Sequence, residues 1–93
     1  MNFATKVIHV GGHPDKETGA IMPPIYQTTT FVQESPGKHK GYEYSRSHNP
    51  TRTRLEECLA SLEEAKYALV AASGLGIISL ILHSLPKGPT IVC

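Results

Sequence analysis

The sequence of 93 residues has no tryptophan, only two cysteines, and no apolar run of the roughly 18 residues that a membrane-spanning helix needs. Nine basic and eight acidic side chains nearly cancel, so the basic excess typical of a nucleic-acid-binding domain is missing. The first residues also lack the basic-then-apolar layout of a secretion signal. We therefore expect a cytoplasmic protein with two reduced thiols, Cys58 and Cys93, that binds neither nucleic acid nor a membrane.

Glycine and proline are concentrated in the first half of the chain. Residues 1–50 hold 5 of the 8 glycines and 5 of the 7 prolines, which produce repeated turn signals. Residues 25–32 are rich in β-branched and aromatic side chains, which favours an extended segment. So long a stretch with little periodicity is unusual inside a compact domain. The sequence therefore predicts an extended N-terminal arm over residues 1–48 that lies on another surface.

Regular patterning begins at Asn49. Asn49 is a favourable N-cap, and Pro50 suits the first helical position because its missing N–H would have had no partner there. Leucines and Cys58 then recur at helical spacing, with glutamates on the other side. This pattern predicts a helix over residues 50–64.

Three apolar segments follow that helix. Residues 67–72 are a nearly continuous apolar run that predicts a buried strand, residues 77–85 predict a helix buried on most faces, and residues 90–93 predict the opening of a second buried strand. Strand, helix and strand form one βαβ unit, and a parallel sheet needs more strands than this. We therefore expect an α/β chain whose residues 49–93 are the truncated start of a larger domain, and not a self-contained miniprotein.

The first candidate site is Ser73-Gly74-Leu75-Gly76, between a predicted strand and a predicted helix. The first N–H groups of a helix lack partners, and the helix dipole favours an anion there. The glycines permit close approach of the backbone, and Ser73 offers a hydroxyl. The motif suits a phosphate-bearing ligand, although small residues at such a turn also serve tight packing alone.

The second candidate site is the pair Tyr44 and Arg46. Residues two apart in an extended segment point the same way, so the pair offers a phenol and a guanidinium fork together. These groups suit a phosphate or a carboxylate. The alternative interpretation is a solvated arginine and a packing tyrosine in a loop.

Other titratable residues carry no such pattern. The five histidines show no metal-ligand spacing, so we predict no metal site. Lys66 and Lys87 have no sequence context for a Schiff base and are interpreted as surface residues.

Both candidate sites lie inside a combination of motifs that resembles the N-terminal region of the Cys/Met-metabolism enzymes, which depend on pyridoxal 5′-phosphate (PLP). The tyrosine–serine–arginine motif is followed by the acidic helix and by the serine–glycine motif, and the resemblance extends over the whole chain. It is strongest to the trans-sulfuration members that act on cystathionine. The matching segments are residues 3–11, 23–31, 36–52, 65–69 and 71–75.

The resemblance implies a fold type I transferase, with an N-terminal arm over residues 1–48 and the start of the large PLP-binding α/β domain over residues 49–93. It implies a homotetramer built from two dimers. Tyr44 and Arg46 would reach the PLP phosphate of the neighbouring subunit, and Arg46 would also contact the substrate. Gly74 and Leu75 would hold the phosphate of their own subunit through backbone N–H groups.

The resemblance further implies that no catalytic residue lies in this chain. In the family, the lysine that binds PLP, the aspartate that pairs with its pyridine nitrogen and the tyrosine that stacks on its ring lie beyond the position of Cys93. Four residues depart from the family pattern. His48 replaces a glycine in a turn, and Gly76 replaces an alanine early in a helix, where glycine costs about 1 kcal/mol of propensity. Pro86 and Pro89 alter the loop before the second predicted strand.

The implied reaction is cleavage of the carbon–sulfur bond of cystathionine to cysteine, 2-oxobutanoate and ammonia. The motifs leave two other reactions open, namely synthesis of cystathionine and γ-cleavage of methionine. They also leave open a non-catalytic short product that binds full-length subunits.

Overall fold

A computed structural model describes residues 1–93. Its elements are helix α1 (Phe3–His9), strands β1 (Gln33–Ser35) and β2 (Lys38–His39), helix α2 (Pro50–Leu62) and helix α3 (Gly74–Ser84). The two strands form one antiparallel hairpin, so helices and a small sheet share the chain and the predicted α/β class is confirmed.

Helix α2 confirms the helix predicted at residues 50–64, except that it ends at Leu62. Its N-cap is Asn49, whose side-chain oxygen accepts from Thr51 N at 2.9 Å. Glu64 adopts the left-handed conformation with φ +53°, and Ala65 N returns to Ala60 O at 2.8 Å. The helix ends early because these local bonds satisfy its last carbonyls.

Helix α3 begins three residues before the start predicted from its apolar pattern, because Ser73 caps it. The prediction that it is buried on most faces is wrong for this chain. No other helix or strand packs against α3, and about half of the Ile78, Leu80 and Ile81 surface is exposed.

The strands predicted at residues 67–72 and 90–93 do not form, and residues 25–32 make only one isolated bridge, between Thr30 and Tyr44. A strand needs a neighbouring strand to pair its N–H and C=O groups, and residues 67–72 and 90–93 have none within the chain. Val70 N instead bonds to the Glu56 carboxylate at 3.2 Å. Apolar character alone therefore did not determine strand structure here.

Helix α1 was missed by the prediction of an irregular arm, because seven residues are too few to show a period. Asn2 caps it, and Lys6 Nζ donates to Ser61 O of α2 at 3.2 Å. Arg54 Nε also donates to Gly11 O at 2.8 Å. Gly11 has φ +80°, and a Cβ there would lie 2.4 Å from Arg54 O, so only glycine fits. The first residues of the arm thus lie against α2 of the same chain, while the boundary at residue 48 stays a prediction.

The chain has almost no interior of its own. Its accessible surface is 8029 Å², whereas a compact monomer of its 10.1 kDa mass would expose about 5,300 Å². Its radius of gyration is 16.6 Å, against about 12 Å for a compact domain of this length. Only Gly11 and Ala60 are buried.

This exposure predicts that the isolated 93-residue chain does not unfold cooperatively. Each exposed leucine or isoleucine forgoes roughly 1.5–3 kcal/mol of burial, while the net stability of a whole domain is only about 5–15 kcal/mol. Several such residues on α3 suffice to cancel that stability. We expect a broad thermal transition by circular dichroism, with aggregates on size exclusion. A sharp melt of a monodisperse monomer would contradict this expectation.

Candidate functional site

The N-terminus of α3 presents two backbone donors to solvent. Ser73 Oγ accepts from Gly76 N at 3.0 Å, and Ser73 O accepts from Ile77 N at 3.2 Å. The N–H groups of Gly74 and Leu75 have no hydrogen-bond partner in the structure. Apart from its chain neighbours and the backbone of its own helix, no heavy atom lies within 4 Å of where a Gly74 Cβ would be. Two free donors at the positive end of a helix form an arrangement that suits an anion.

Gly76, which replaces the alanine of the family pattern, lies beside the capping hydroxyl of Ser73. A Cβ at this position would lie 3.1 Å from Ser73 Oγ, which is tighter than ordinary van der Waals contact. The glycine therefore leaves room for the capping hydroxyl of Ser73.

The second candidate pair lies at a tight turn, not in the extended segment that its spacing suggested. Tyr44 O accepts from both Ser47 N and His48 N at 3.0 Å, which closes the turn over residues 44–47. The guanidinium carbon of Arg46 lies 5.5 Å from the centroid of the Tyr44 ring, within the range of a cation–π contact. Both side chains are exposed. The structure thus brings the Arg46 guanidinium against the Tyr44 ring through a turn, and the predicted extended backbone at this pair is not formed.

His48 does not disturb this turn. Its backbone avoids the left-handed region that would require glycine, and its ring centroid lies 6.3 Å from that of Tyr42. The substitution of histidine for the usual glycine is therefore accommodated.

The turn is anchored to the preceding segment of the arm. Ser45 N donates to Thr29 O at 2.8 Å, and Phe31 N donates to Glu43 O at 3.1 Å. The Asn49 amide donates to Tyr26 O at 3.0 Å and also caps α2. The turn is therefore held by the arm on one side and by α2 on the other.

Arg52 also contacts this turn, and the sequence analysis did not single it out. One terminal nitrogen of its guanidinium donates to Arg46 O at 3.4 Å, and the other donates to Ser47 O. A cation in the first turn of a helix interacts unfavourably with the helix dipole. The position of Arg52 in the first turn of α2 therefore indicates that a contact outside the helix stabilises its side chain.

The arm contains one further ordered turn, which is built around Asp15. Asp15 accepts from the Thr18 hydroxyl at 2.7 Å and from Thr18 N at 3.0 Å, and these bonds lower the pKa of the Asp15 carboxyl. Because the pKa is lowered, the bonds from Thr18 to the ionised Asp15 carboxylate stabilise the folded turn at a pH above the ordinary carboxyl pKa. This stabilisation is lost as the pH falls through the lowered pKa.

Neither hydrogen bonds nor aromatic contacts join Arg46 directly to Gly74, so the two halves of the candidate site remain separate within one chain. The roles given to Tyr44, Arg46, Gly74 and Leu75 therefore stay predictions. No group of three His, Cys, Asp or Glu side chains is placed to hold a metal ion. None of the helices has the length and apolar character needed to cross a membrane.

Comparison with known families matches residues 4–93 to the model of the Cys/Met metabolism PLP-dependent enzymes. The chain is 55% identical over 91 residues to a probable cystathionine γ-synthase of Herpetosiphon aurantiacus, covering 98% of this chain and 28% of that protein. It is 52% identical over 94 residues to the cystathionine γ-lyase of Bos taurus, covering 100% of this chain and 23% of that protein. It is 50% identical over 88 residues to the cystathionine β-lyase of Coxiella burnetii, covering 95% of this chain and 23% of that protein.

The fold is similar to that of solved structures as well. The crystal structure of cystathionine γ-lyase from yeast matches with a TM-score of 0.82 and 48% identity, over 95% of this chain and 22% of that one. The chain thus spans about a quarter of the length of the curated relatives it matches.

Proposed function

The chain belongs to the Cys/Met metabolism PLP-dependent enzymes, and we propose that it is the N-terminal part of a cystathionine γ-lyase. The reaction consumes one water and cleaves the bond between the γ-carbon and sulfur of cystathionine, releasing cysteine, 2-oxobutanoate and ammonia. The observation that carries the cofactor-binding part of this proposal is the pair of unpartnered N–H groups at Gly74 and Leu75, the two residues that would hold the PLP phosphate by resemblance to the family motif.

The residues present fit the phosphate of PLP. A phosphate dianion accepts several hydrogen bonds, and the chain offers two backbone N–H groups, the Tyr44 hydroxyl and the Arg46 fork. Arg46 contributes a permanent charge, whereas Gly74 and Leu75 add donors at a helix N-terminus. When bound, PLP supplies the electron sink for bond cleavage at the substrate. The residues of this chain would bind and orient it, and Arg46 would also contact the substrate.

We propose that Tyr44 and Arg46 serve the site of a neighbouring subunit in a homotetramer. Two features support this arrangement: no hydrogen bond or aromatic contact joins Arg46 directly to Gly74, and α3 packs against no other helix or strand. The large exposed surface of 8029 Å² is also typical of a chain that packs against further protein. A cytoplasmic location remains a prediction from the sequence.

A second candidate is a cystathionine γ-synthase, which the 55% identity to a probable γ-synthase favours. The similarity to a cystathionine β-lyase makes cleavage of cystathionine at the β-carbon a further candidate reaction. The two remaining alternatives are γ-cleavage of methionine and a short non-catalytic product that binds full-length subunits.

The coding frame after Cys93 distinguishes the short product from the enzymes. Only a frame that continues can encode the PLP-binding lysine.

Product analysis tests the proposed reaction. We expect the full-length protein, loaded with PLP and given cystathionine, to release cysteine and 2-oxobutanoate in equal amounts by mass spectrometry. Homocysteine and pyruvate would instead identify cleavage at the β-carbon. Intact cystathionine, with methanethiol released from methionine, would identify a methionine γ-lyase. Stable cystathionine and stable methionine would contradict a lyase and favour the synthase.

A further inference from the structure

We propose that Arg52 and Glu56 form a positioning pair that holds both halves of the anion site in place. One half is the turn at residues 44–47, which carries Tyr44 and Arg46, and the other is the start of α3. The inference rests on the proposed PLP-binding function and adds to it two residues outside the four that would hold the phosphate.

Arg52 fixes the first half through the backbone. Its two terminal nitrogens donate to consecutive carbonyls of the turn, at Arg46 (3.4 Å) and at Ser47. A planar guanidinium can reach two such oxygens at once, which a lysine ammonium on its flexible stem does less well. The Arg46 backbone is thereby tied to α2, and so is the point from which its side chain extends.

Glu56 extends the connection to the second half. Its Oε1 lies 3.8 Å from Arg52 Nε and accepts from Val70 N at 3.2 Å. Val70 lies three residues before Ser73, the N-cap of α3. The Glu56 side chain is 15% exposed and that of Arg52 is 31% exposed, so water competes only partly for these contacts. A continuous set of contacts thus runs from the turn, through α2, to the segment that leads into α3.

Helix stability does not account for the pair. Arg52 is the third residue of α2, where the positive end of the helix dipole disfavours a cation, and the first turn contains no acid. The order of arginine four residues before glutamate is also the less favourable one along a helix. The pair therefore has its structural effect outside the helix, on the turn and on the segment before α3.

Titration of the full-length apoprotein with PLP, followed by fluorescence, tests this role. We expect Arg52→Gln to raise the Kd for PLP roughly five- to tenfold, because the carbonyl bonds of the turn are lost. Arg52→Lys should restore part of the affinity, and Glu56→Gln should raise Kd about two- to threefold because it keeps the acceptor for Val70 N. The matched control is Arg54→Gln. Arg54 lies on the same helix and donates to Gly11 O at 2.8 Å, away from the turn, so its loss should lower the melting temperature and leave the Kd for PLP unchanged.

A double-mutant cycle separates positioning from a general structural effect. If Arg52 acts through Arg46, Arg52→Gln should change the Kd much less in an Arg46→Ala background than in the wild type. Equal effects in both backgrounds, or no effect of Arg52→Gln beside a clear effect of Arg46→Ala, would overturn the inference and leave the proposed function intact. Failure of the wild-type protein to bind PLP would overturn the proposed function itself. Should Arg52→Gln not fold, the same cycle is decided with Arg52→Lys.

Discussion

Replacing Arg46 with alanine in the full-length protein is expected to weaken PLP binding about ten- to a hundredfold. The guanidinium would place a permanent charge and a rigid fork of donors on a dianionic phosphate, and each charge-assisted bond contributes about 1.5–3 kcal/mol. Arg46→Lys should restore part of the affinity, since it returns the charge without the fork. Tyr44→Phe should cost less than Arg46→Ala, because only one neutral hydroxyl bond is lost. Equilibrium dialysis against PLP measures all three changes, and an unchanged affinity in Arg46→Ala would contradict the assignment.

Subunit mixing then tests whether Arg46 acts on its own site or on that of a neighbour. If it acts across subunits, mixing Arg46→Ala subunits with subunits that lack the PLP-binding lysine creates heterodimers with one site carrying both defects and one carrying neither. Activity should therefore partly return after subunit exchange. No recovery, with exchange verified by mass spectrometry, would show that the arrangement in trans is wrong even if Arg46 touches PLP.

The second large expected effect is complete inactivity of the isolated 93-residue chain, with no covalent uptake of PLP. A lysine that forms a Schiff base must be deprotonated, which enzymes achieve by burial or by a neighbouring cation. Lys66 and Lys87 are exposed, and Lys66 lies over the Tyr67 ring with its Nζ 5.4 Å from the centroid. Neither lysine has the required surroundings.

Mass spectrometry after borohydride reduction measures this uptake directly. We expect no added PLP mass on the isolated chain, while the full-length protein under the same conditions gains one PLP per subunit. An adduct that forms on the isolated chain and disappears in Lys66→Ala or Lys87→Ala would contradict the prediction.

The local parts of the fold were predictable, and so were the local parts of the site. Asn49 and Pro50 mark the start of α2, and Ser73 with its glycines marks the start of α3. Each of these signals acts over three residues or fewer, because a cap is a hydrogen bond between a side chain and a nearby N–H. The free N–H groups of Gly74 and Leu75 follow from the same local geometry, since the residues four positions before them lie outside the helix and do not accept their bonds.

The contacts between distant residues were not predictable in the same way. The sequence pattern did not reveal α1, because its seven residues are held on α2 by Lys6, while Arg54 holds the following Gly11. It predicted strands at residues 67–72 and 90–93 from apolar character, yet a strand forms only beside a partner, and these segments have none in the chain.

The sequence by itself determined the caps, the two donors at the start of α3 and the motifs by which the family is identified. Only the tertiary structure decided that Gly11 must be glycine against the Arg54 carbonyl, whereas the contact of Arg46 with the Tyr44 ring is local to the turn at residues 44–47. The tertiary structure also decided that Arg52 and Glu56 connect that turn to the approach of α3. The physical reason is range: a cap depends on neighbours along the chain, whereas these contacts exist only after α2 has brought separate segments together in space.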